Sequence, residues 1–190
     1  MIDEPALPQT TRLSLRRFAE DDLELLVRMH TDTEVMRFIG GVKSREESEQ
    51  LLRERVLAYY DQHPGLGMWA TMEKSSGQCI GMHLLSHIPG EAHIQVGYTV
   101  MREAWGNGYA TEMCRALVRY GFETMHLPQV VAITSLDHLD SQNVLLKSGL
   151  RRNGERSFDY PAYAKQGPLA WFEASRDEWL AERASTGTQA

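Results

Sequence analysis

The stretch from Ala104 to Met113, AWGNGYATEM, sets two glycines two residues apart and then enters a segment whose apolar residues recur at helical spacing. Gly106 and Gly108 let the chain take backbone conformations that side chains disfavour and let its amides come close to a ligand. Amides gathered at the start of a helix, where the helix dipole is positive, suit an anion. A P-loop would need Lys and then Ser or Thr after the second glycine, but Tyr109 and Ala110 follow. A dinucleotide loop would need a third glycine where Thr111 stands, and an acidic residue about twenty positions on. The pattern that remains is a strand, a short loop and a helix, with the amides of Gly106, Asn107, Gly108, Tyr109 and Ala110 converging on a pyrophosphate. A tight turn without a ligand is the competing reading of the two glycines taken alone.

Working outward, three strand-like segments precede the loop: MWATMEK, QCIGMHLLSH and HIQVGYTVM. KSSGQ and IPGEA are turn sequences between them, so they read as an antiparallel meander. Before these stand a strand, TRLSLRRF, and two helices. AEDDLELLVRMH carries Leu23, Leu26, Val27 and His30 at helical spacing behind an acidic first turn. SREESEQLLRERVLAYYDQH opens with Ser44 and Glu47 in capping-box spacing and sets Leu52, Val56, Tyr59 and Tyr60 on one face. After the loop come a helix over about 110–125, a short strand PQVVAIT, and a short helix DSQNVLLKSG capped by Asp140 or Ser141 and ended by Gly149. Strands in LRRNGERSF and PLAWFEASRDEWLAE close the chain. The order β-α-α-β-β-β-α-β-α-β-β predicts an α+β protein, a mixed α/β sandwich built on one sheet. It predicts a single domain over 1–190, with its core over about 10–180.

Composition narrows the classes. The chain has 190 residues, 42% apolar and 24% charged, and a net charge of −6. That balance argues for a soluble globular protein and against nucleic acid as a partner. Cys79 and Cys114 are far apart and in no metal-like spacing, so neither a metal site nor a disulfide framework is expected. No leader pattern and no apolar run of membrane-spanning length is present, which points to the cytoplasm and away from a membrane.

Val96 to Leu150 resembles the acetyl-CoA-binding half of the GNAT N-acetyltransferases. The family's loop pattern, Arg/Gln-x-x-Gly-x-Gly/Ala, is matched by Gly108 and Ala110, with Trp105 in place of the Arg/Gln. The fuller form WGNGYATE is similar to the RimJ/RimL branch, whose members acetylate protein N-terminal amines. So are TRLSLRRF with its acidic helix, TEVMRFIGG, VGY, SQNVLLKSGL and RDEW, an ordered set covering roughly residues 10 to 180. The resemblance implies the GNAT fold: a central mixed sheet with a V-shaped splay and helices on both faces. It implies acetyl-CoA as co-substrate and an amine acceptor, either a protein N-terminus or a small molecule, and it leaves room for a homodimer. It implies backbone pairing of Val96, Gly97, Tyr98, Thr99 and Val100 with the pantetheine arm. Trp105 to Thr111 would bind the cofactor, with the amides of Gly106 to Ala110 on its pyrophosphate, Ser141 near the sulfur and His138 in contact with CoA.

Transfer of acetyl from a thioester to an amine requires an amine that loses a proton, donors for the oxyanion, and a donor for the departing thiolate. The resemblance puts the oxyanion donor at the amide near Val96 or Gly97, and Gly97 beside the thioester. Where many relatives carry Glu, this chain has Gln95, which can orient the amine or a water but cannot accept its proton. His93 lies two residues earlier on the same face, and His83 and His87 on the preceding strand could point the same way. Water is the other base: an α-amine has a pKa of about 8 and loses its proton readily. Ser141 fits both an acid for the thiolate and a helix cap. His138 stands where relatives have Asn. Trp69, Trp171 and Trp179 read as core, Tyr59 and Tyr60 as core at the edge of the acceptor groove, and residues 159–167 as an acceptor wall. A CoA-binding module without catalysis is the reading that Gln95 and His138 leave open.

Overall fold

The alternation and turn chemistry of the sequence resolve into one seven-stranded sheet. In the computed structural model, which describes residues 5–160, Tyr163 and residues 167–186, the strands are β1 (Leu13–Arg17), β2 (Gly67–Glu73), β3 (Cys79–His87), β4 (Ile94–Val100), β5 (Gln129–Ser135), β6 (Arg151–Arg156) and β7 (Leu169–Ser175). Their order is β1-β2-β3-β4-β5-β7-β6, and every pairing is antiparallel except β4 with β5. Two helices join β1 to β2 through several pieces: α1 (Leu23–Thr31), α2 (Thr33–Met36), α3 (Arg45–Leu51) and α4 (Ala58–Gln62). Then come α5 (Tyr109–Glu123) between β4 and β5, α6 (Leu139–Lys147) between β5 and β6, and α7 (Arg176–Thr186). None of the described helices is long and apolar enough to cross a membrane.

The capping box at Ser44 forms, with the Glu47 amide donating to Ser44 Oγ at 3.1 Å and the Ser44 amide to Glu47 at 2.6 Å. The helix it starts is not uniform, however. Leu52–Leu57 winds as a π-helix between α3 and α4. An inserted π turn shifts the phase of everything after it, so Tyr60 is buried while Tyr59 stays half-buried. The last described residues also form a helix, α7, not the strand expected for RDEWLAE: β7 stops at Ser175 and Trp179 packs from α7 against Phe122, ring centroids 5.4 Å apart.

Residues paired across the antiparallel strands share a face. Leu85, Val96, Tyr98 and Val130 face α5: a Cβ on Gly121 would lie 3.1 Å from Val130 and 3.6 Å from Leu85. The main core, with Leu13, Trp69, Leu117, Phe122 and Phe172 fully buried, extends from here through the first helices. Ile88, Val131 and Trp171 form a smaller cluster on the other side, with Phe158 and Tyr163 against it. β3 and β4 approach so closely at Gly81 (φ +149°) that a Cβ there would lie 2.2 Å from the Thr99 carbonyl oxygen. The edge strand β6, RRNGER, is exposed throughout, and its charges discourage pairing with another chain.

Two buried histidines are held neutral. His83 is fully buried, with Nδ1 2.7 Å from Thr71 Oγ1, and desolvation pushes its pKa down to about 3. His30 is buried with Nδ1 2.9 Å from Ser48 Oγ, and desolvation pushes its pKa down to about 4. Each protonates in the unfolded chain near pH 6.5 but not in the folded one, so stability falls as pH drops below that value. Between pH 6.5 and 5 both folded pKa values still lie below the pH. Each histidine therefore removes about 2 kcal/mol, a large share of an ordinary domain's stability. Denaturant unfolding at pH 7 and pH 5 should show this drop, and His83→Asn or His30→Asn should flatten it. Equal stability at the two pH values would refute the burial argument.

Candidate active site

The site begins with what β4 lacks. On one edge β4 pairs with β3 over its whole length, from His87↔Ile94 to Gly81↔Val100. On the other it pairs with β5 at one position, Gln95↔Val131, and then splays away. Met101 N–H donates to the Ile80 carbonyl and the Ile88 amide to the His93 carbonyl, so the odd-numbered backbone groups of β4 face β3. The even-numbered groups face the gap. The bridge to Val131 takes those flanking Gln95, which leaves Tyr98 N–H as the first amide open to the gap. Gly97, by contrast, turns its backbone to β3, and Leu84 fills the space at 3.2 Å where a Cβ would point. Thr99, on the same face as Gly97, is buried. Val96 and Val100 complete the edge. The Val100 carbonyl is already taken, by the Trp105 indole N–H at 2.8 Å. Trp105 is otherwise half-exposed.

The glycine loop caps the open end of this gap. Gly106 and Gly108 both have φ of +76°, and Gly108 is the N-cap of α5. Asn107 braces the loop by donating from Nδ2 to the Ala104 and Trp105 carbonyls at 3.2 and 3.1 Å. The loop is exposed, and a Cβ on Gly106 would meet no atom within 4 Å. Tyr109, Ala110 and Thr111 form the first turn of α5. One neighbour was not legible in the sequence: Arg12, whose guanidinium lies 4.5 Å over the Tyr109 ring and would be 3.8 Å from a Cβ on Gly108. Glu112 holds it there, accepting from Arg12 Nε at 2.7 Å. A cradle of free amides with a guanidinium beside it fits a pyrophosphate.

Across the gap stands α6. Its N-cap is His138, whose side chain makes no capping bond, so neither Asp140 nor Ser141 caps the helix. Ser141 lies inside the first turn, buried, with Oγ 2.9 Å from the Tyr98 hydroxyl, which also donates to the Ser141 carbonyl at 3.3 Å. Tyr98 is the partner the sequence did not reveal. Burial holds its hydroxyl well above the usual phenol range. His138 stacks on Phe38, ring centroids 4.3 Å apart. A cleft of about 420 Å³ opens beside that stack, between Arg37 and Phe38, the end of β5 at Ser135 and Asp137, and the start of β7 at Pro168 and Leu169.

On the face away from α5, Gln95 stands beside the Tyr163 hydroxyl without a well-formed bond to it. His93 precedes β4 and sets its ring edge-on to Trp171, centroids 5.1 Å apart, with Nδ1 3.5 Å from the Glu91 carboxylate. The other two histidines do not join them. His83 pairs with Tyr98 and so lies on the α5 face, where its Nε2 rests against the Ala110 backbone without a well-formed bond. His87 binds Tyr59, Nδ1 to hydroxyl at 2.7 Å, while its own amide donates to that hydroxyl at 2.9 Å. Cys114 is fully buried and its thiol is pushed up to about 12, which removes it as a nucleophile. Cys79 begins β3, and its thiol too is raised by burial. Trp69 and Trp171 are core. Of residues 159–167, Pro161, Ala162, Ala164, Lys165 and Gln166 lie outside the described residues. Among the described residues no three His, Cys, Asp or Glu side chains gather as a metal site would require.

Comparison with known proteins matches residues 12–151 to the family described as the acetyltransferase (GNAT) domain. YoaA of Bacillus subtilis, named as an uncharacterized N-acetyltransferase, is 29% identical over 151 residues, spanning 77% of this chain and 83% of that one. The FsC-acetyl coenzyme A-N(2)-transacetylase of Aspergillus fumigatus is 26% identical over 188 residues, spanning 93% and 79%. The crystal structure of an acetyltransferase from Agrobacterium tumefaciens superposes with a TM-score of 0.76 at 22% identity, covering 92% of this chain and 96% of that one.

If the loop holds the pyrophosphate, Gly108→Val should lower CoA affinity by tenfold or more, about 1.4 kcal/mol, in calorimetric titration. The matched control is Gly77→Val in the β2–β3 turn: its φ is +70° and it also has open space, so it carries the same backbone strain. CoA affinity should fall in the first variant and hold in the second. Equal affinities in both would remove the loop from the site.

Proposed function

The chain belongs to the GNAT family of acetyl-CoA-dependent N-acetyltransferases, and on that premise we propose that it moves acetyl directly to a primary amine, an α-amine at a protein N-terminus in the manner of RimJ and RimL. The observation that carries this reading is the single-pair join of β4 to β5, with the glycine loop at its open end and the Tyr98–Ser141 pair across the gap. Acetyl-CoA supplies the activated acyl group as a thioester. The chain's own residues do the rest. Tyr98 N–H, rather than an amide at Val96 or Gly97, donates to the oxyanion. When the single hydrogen of the Tyr98 hydroxyl goes to Ser141 Oγ in place of the Ser141 carbonyl, the serine's own hydrogen is left to turn toward the departing sulfur. Gln95, beside the Tyr163 hydroxyl, turns its carbonyl oxygen to accept from the amine, which orients the lone pair. The amine's proton leaves to His93 or to water. The buried Cys114 thiol argues against a covalent acetyl-cysteine route.

The RimJ/RimL assignment rests on the ordered motifs of the sequence. A second reading, a small-molecule amine such as a polyamine, amino acid or antibiotic, draws support from the Aspergillus fumigatus relative, which matches over nearly the whole chain and is named for an N(2) transfer. A CoA-binding module without turnover is the third. Release of the CoA thiol from acetyl-CoA, measured against N-terminal peptides and small amines, separates the three; no release with any amine would leave the binding module.

Two variant pairs test the roles. Ser141→Ala and Tyr98→Phe should each lower kcat with CoA affinity kept, and their effects should overlap in the double variant, because one acts through the other. Ser141→Ala should also spare helix stability, since His138 holds the cap position. Gln95→Glu should raise turnover by about 10²-fold or more if the missing base limits the rate. If His93 already serves, Gln95→Glu should change little, and His93→Ala should slow the reaction and erase the imidazole limb of the pH–rate profile.

A further inference from the structure

Arg55 lies in the π-helical turn between α3 and α4. Its side chain is half-buried, yet among the described residues it makes no hydrogen bond or ion pair. No acid stands at helical spacing from it: Leu51, Leu52, Ala58 and Tyr59 occupy those positions. Its neighbour Arg53 by contrast pairs with Glu49 at 2.8 Å. Arg55 lies four residues before Tyr59 on the same helical run. Tyr59 is bonded to His87 at the end of β3, and Tyr163 stands beside Gln95 on β4. Tyr59 thus anchors this helical run over the end of β3, beside the start of β4 where the acceptor's amine is to sit, and Arg55 lies on that run four residues before it. The acids of this region are committed elsewhere. Glu173 accepts from Trp171 at 2.8 Å and from Asn153 at 2.6 Å, and Glu91 turns toward His93.

A guanidinium partly removed from water and left unpaired is unfavourable, and its planar fork matches a carboxylate. It also repels a polycation. We propose that Arg55 receives a carboxylate of the acceptor, so that the substrate is an amine that itself carries an acid: a free α-amino acid, or a peptide with Asp or Glu at or next to its N-terminus. This rests on the amine-acetylation reading above. It runs against the basic acceptor that a net charge of −6 suits taken alone, because the charge left without a partner here is the cation of Arg55.

The test uses the intact protein and acceptors matched except for the acid. The pairs are leucine with leucinamide, and peptides starting Asp or Glu with those starting Asn or Gln; spermidine is the polycation. In wild type, kcat/KM should favour the acid of a pair by about tenfold to a hundredfold. Arg55→Gln should erase that preference by lowering only the acid's value, with CoA affinity unchanged as evidence that the variant is folded; Arg55→Lys should keep part of it. Whichever pair responds identifies the source of the carboxylate. A preference that survives Arg55→Gln, or a wild type that favours the amides or spermidine, overturns the proposal. Calorimetry on the CoA-saturated protein adds a reading free of catalysis: N-acetyl-leucine or an N-acetyl-Asp peptide should bind more tightly than its amide counterpart, and only when Arg55 is present. If that binding holds while no amine is acetylated, the transfer reading fails and the Arg55 site stands. If it is absent, the Arg55 site fails.

Discussion

A β-strand hydrogen-bonded along both edges has no backbone left to offer a ligand. In this protein the central strand β4 is paired fully on one side and for one residue on the other, and the site depends on that asymmetry. The odd-numbered groups of β4 keep the sheet continuous through β3. The even-numbered groups are turned out where β5 departs. One residue then serves two purposes: Tyr98 presents its amide to the gap and sends its side chain through the sheet's α5 face to Ser141. The parallel connection through α5 is what makes the departure possible, because it carries the chain over the sheet and delivers the helix start, with its free amides, to the mouth of the opening.

Where the sequence was legible, the reason was local. Leu13 and Leu15 alternate and form a strand; Ser44 and Glu47 are spaced for a capping box and make one; Gly106 and Gly108 sit where the backbone must be left-handed. Where it was not, the cause was tertiary. Nothing in LLRERVL announces a π turn, since its bonds differ from α bonds by one residue, and the shift it makes is visible only in which tyrosine becomes buried. Ser141 has the composition of a cap but lies three residues past the cap position, because the chain turns into α6 at His138. His83 and His93 look equivalent in a list of nearby histidines; strand pairing puts them on opposite faces. Arg12 and Arg55 could not be found from spacing, since both owe their place to packing between elements distant in sequence.

The histidines also divide by energetics. His83 and His30 are neutral, buried and hydrogen-bonded through Nδ1, so they act as structural groups and not as bases. His93 and His87 are partly exposed, one just before β4 and the other at the end of β3, where their rings keep contact with water. Residue type alone does not make this distinction; the loss of solvent around the ring does.

The Trp105 indole, bound to the Val100 carbonyl, has a further consequence for solubility. A split in a sheet exposes a strand edge, and exposed edges template the addition of other strands, including those of a neighbouring chain. By removing the last acceptor on that edge, Trp105 shortens the run open to pairing to a couple of residues around Tyr98, too few to hold a foreign strand in register. The edge can thus stay open without serving as a template for another polypeptide. Removing the indole should therefore show itself first as aggregation on concentrating the protein.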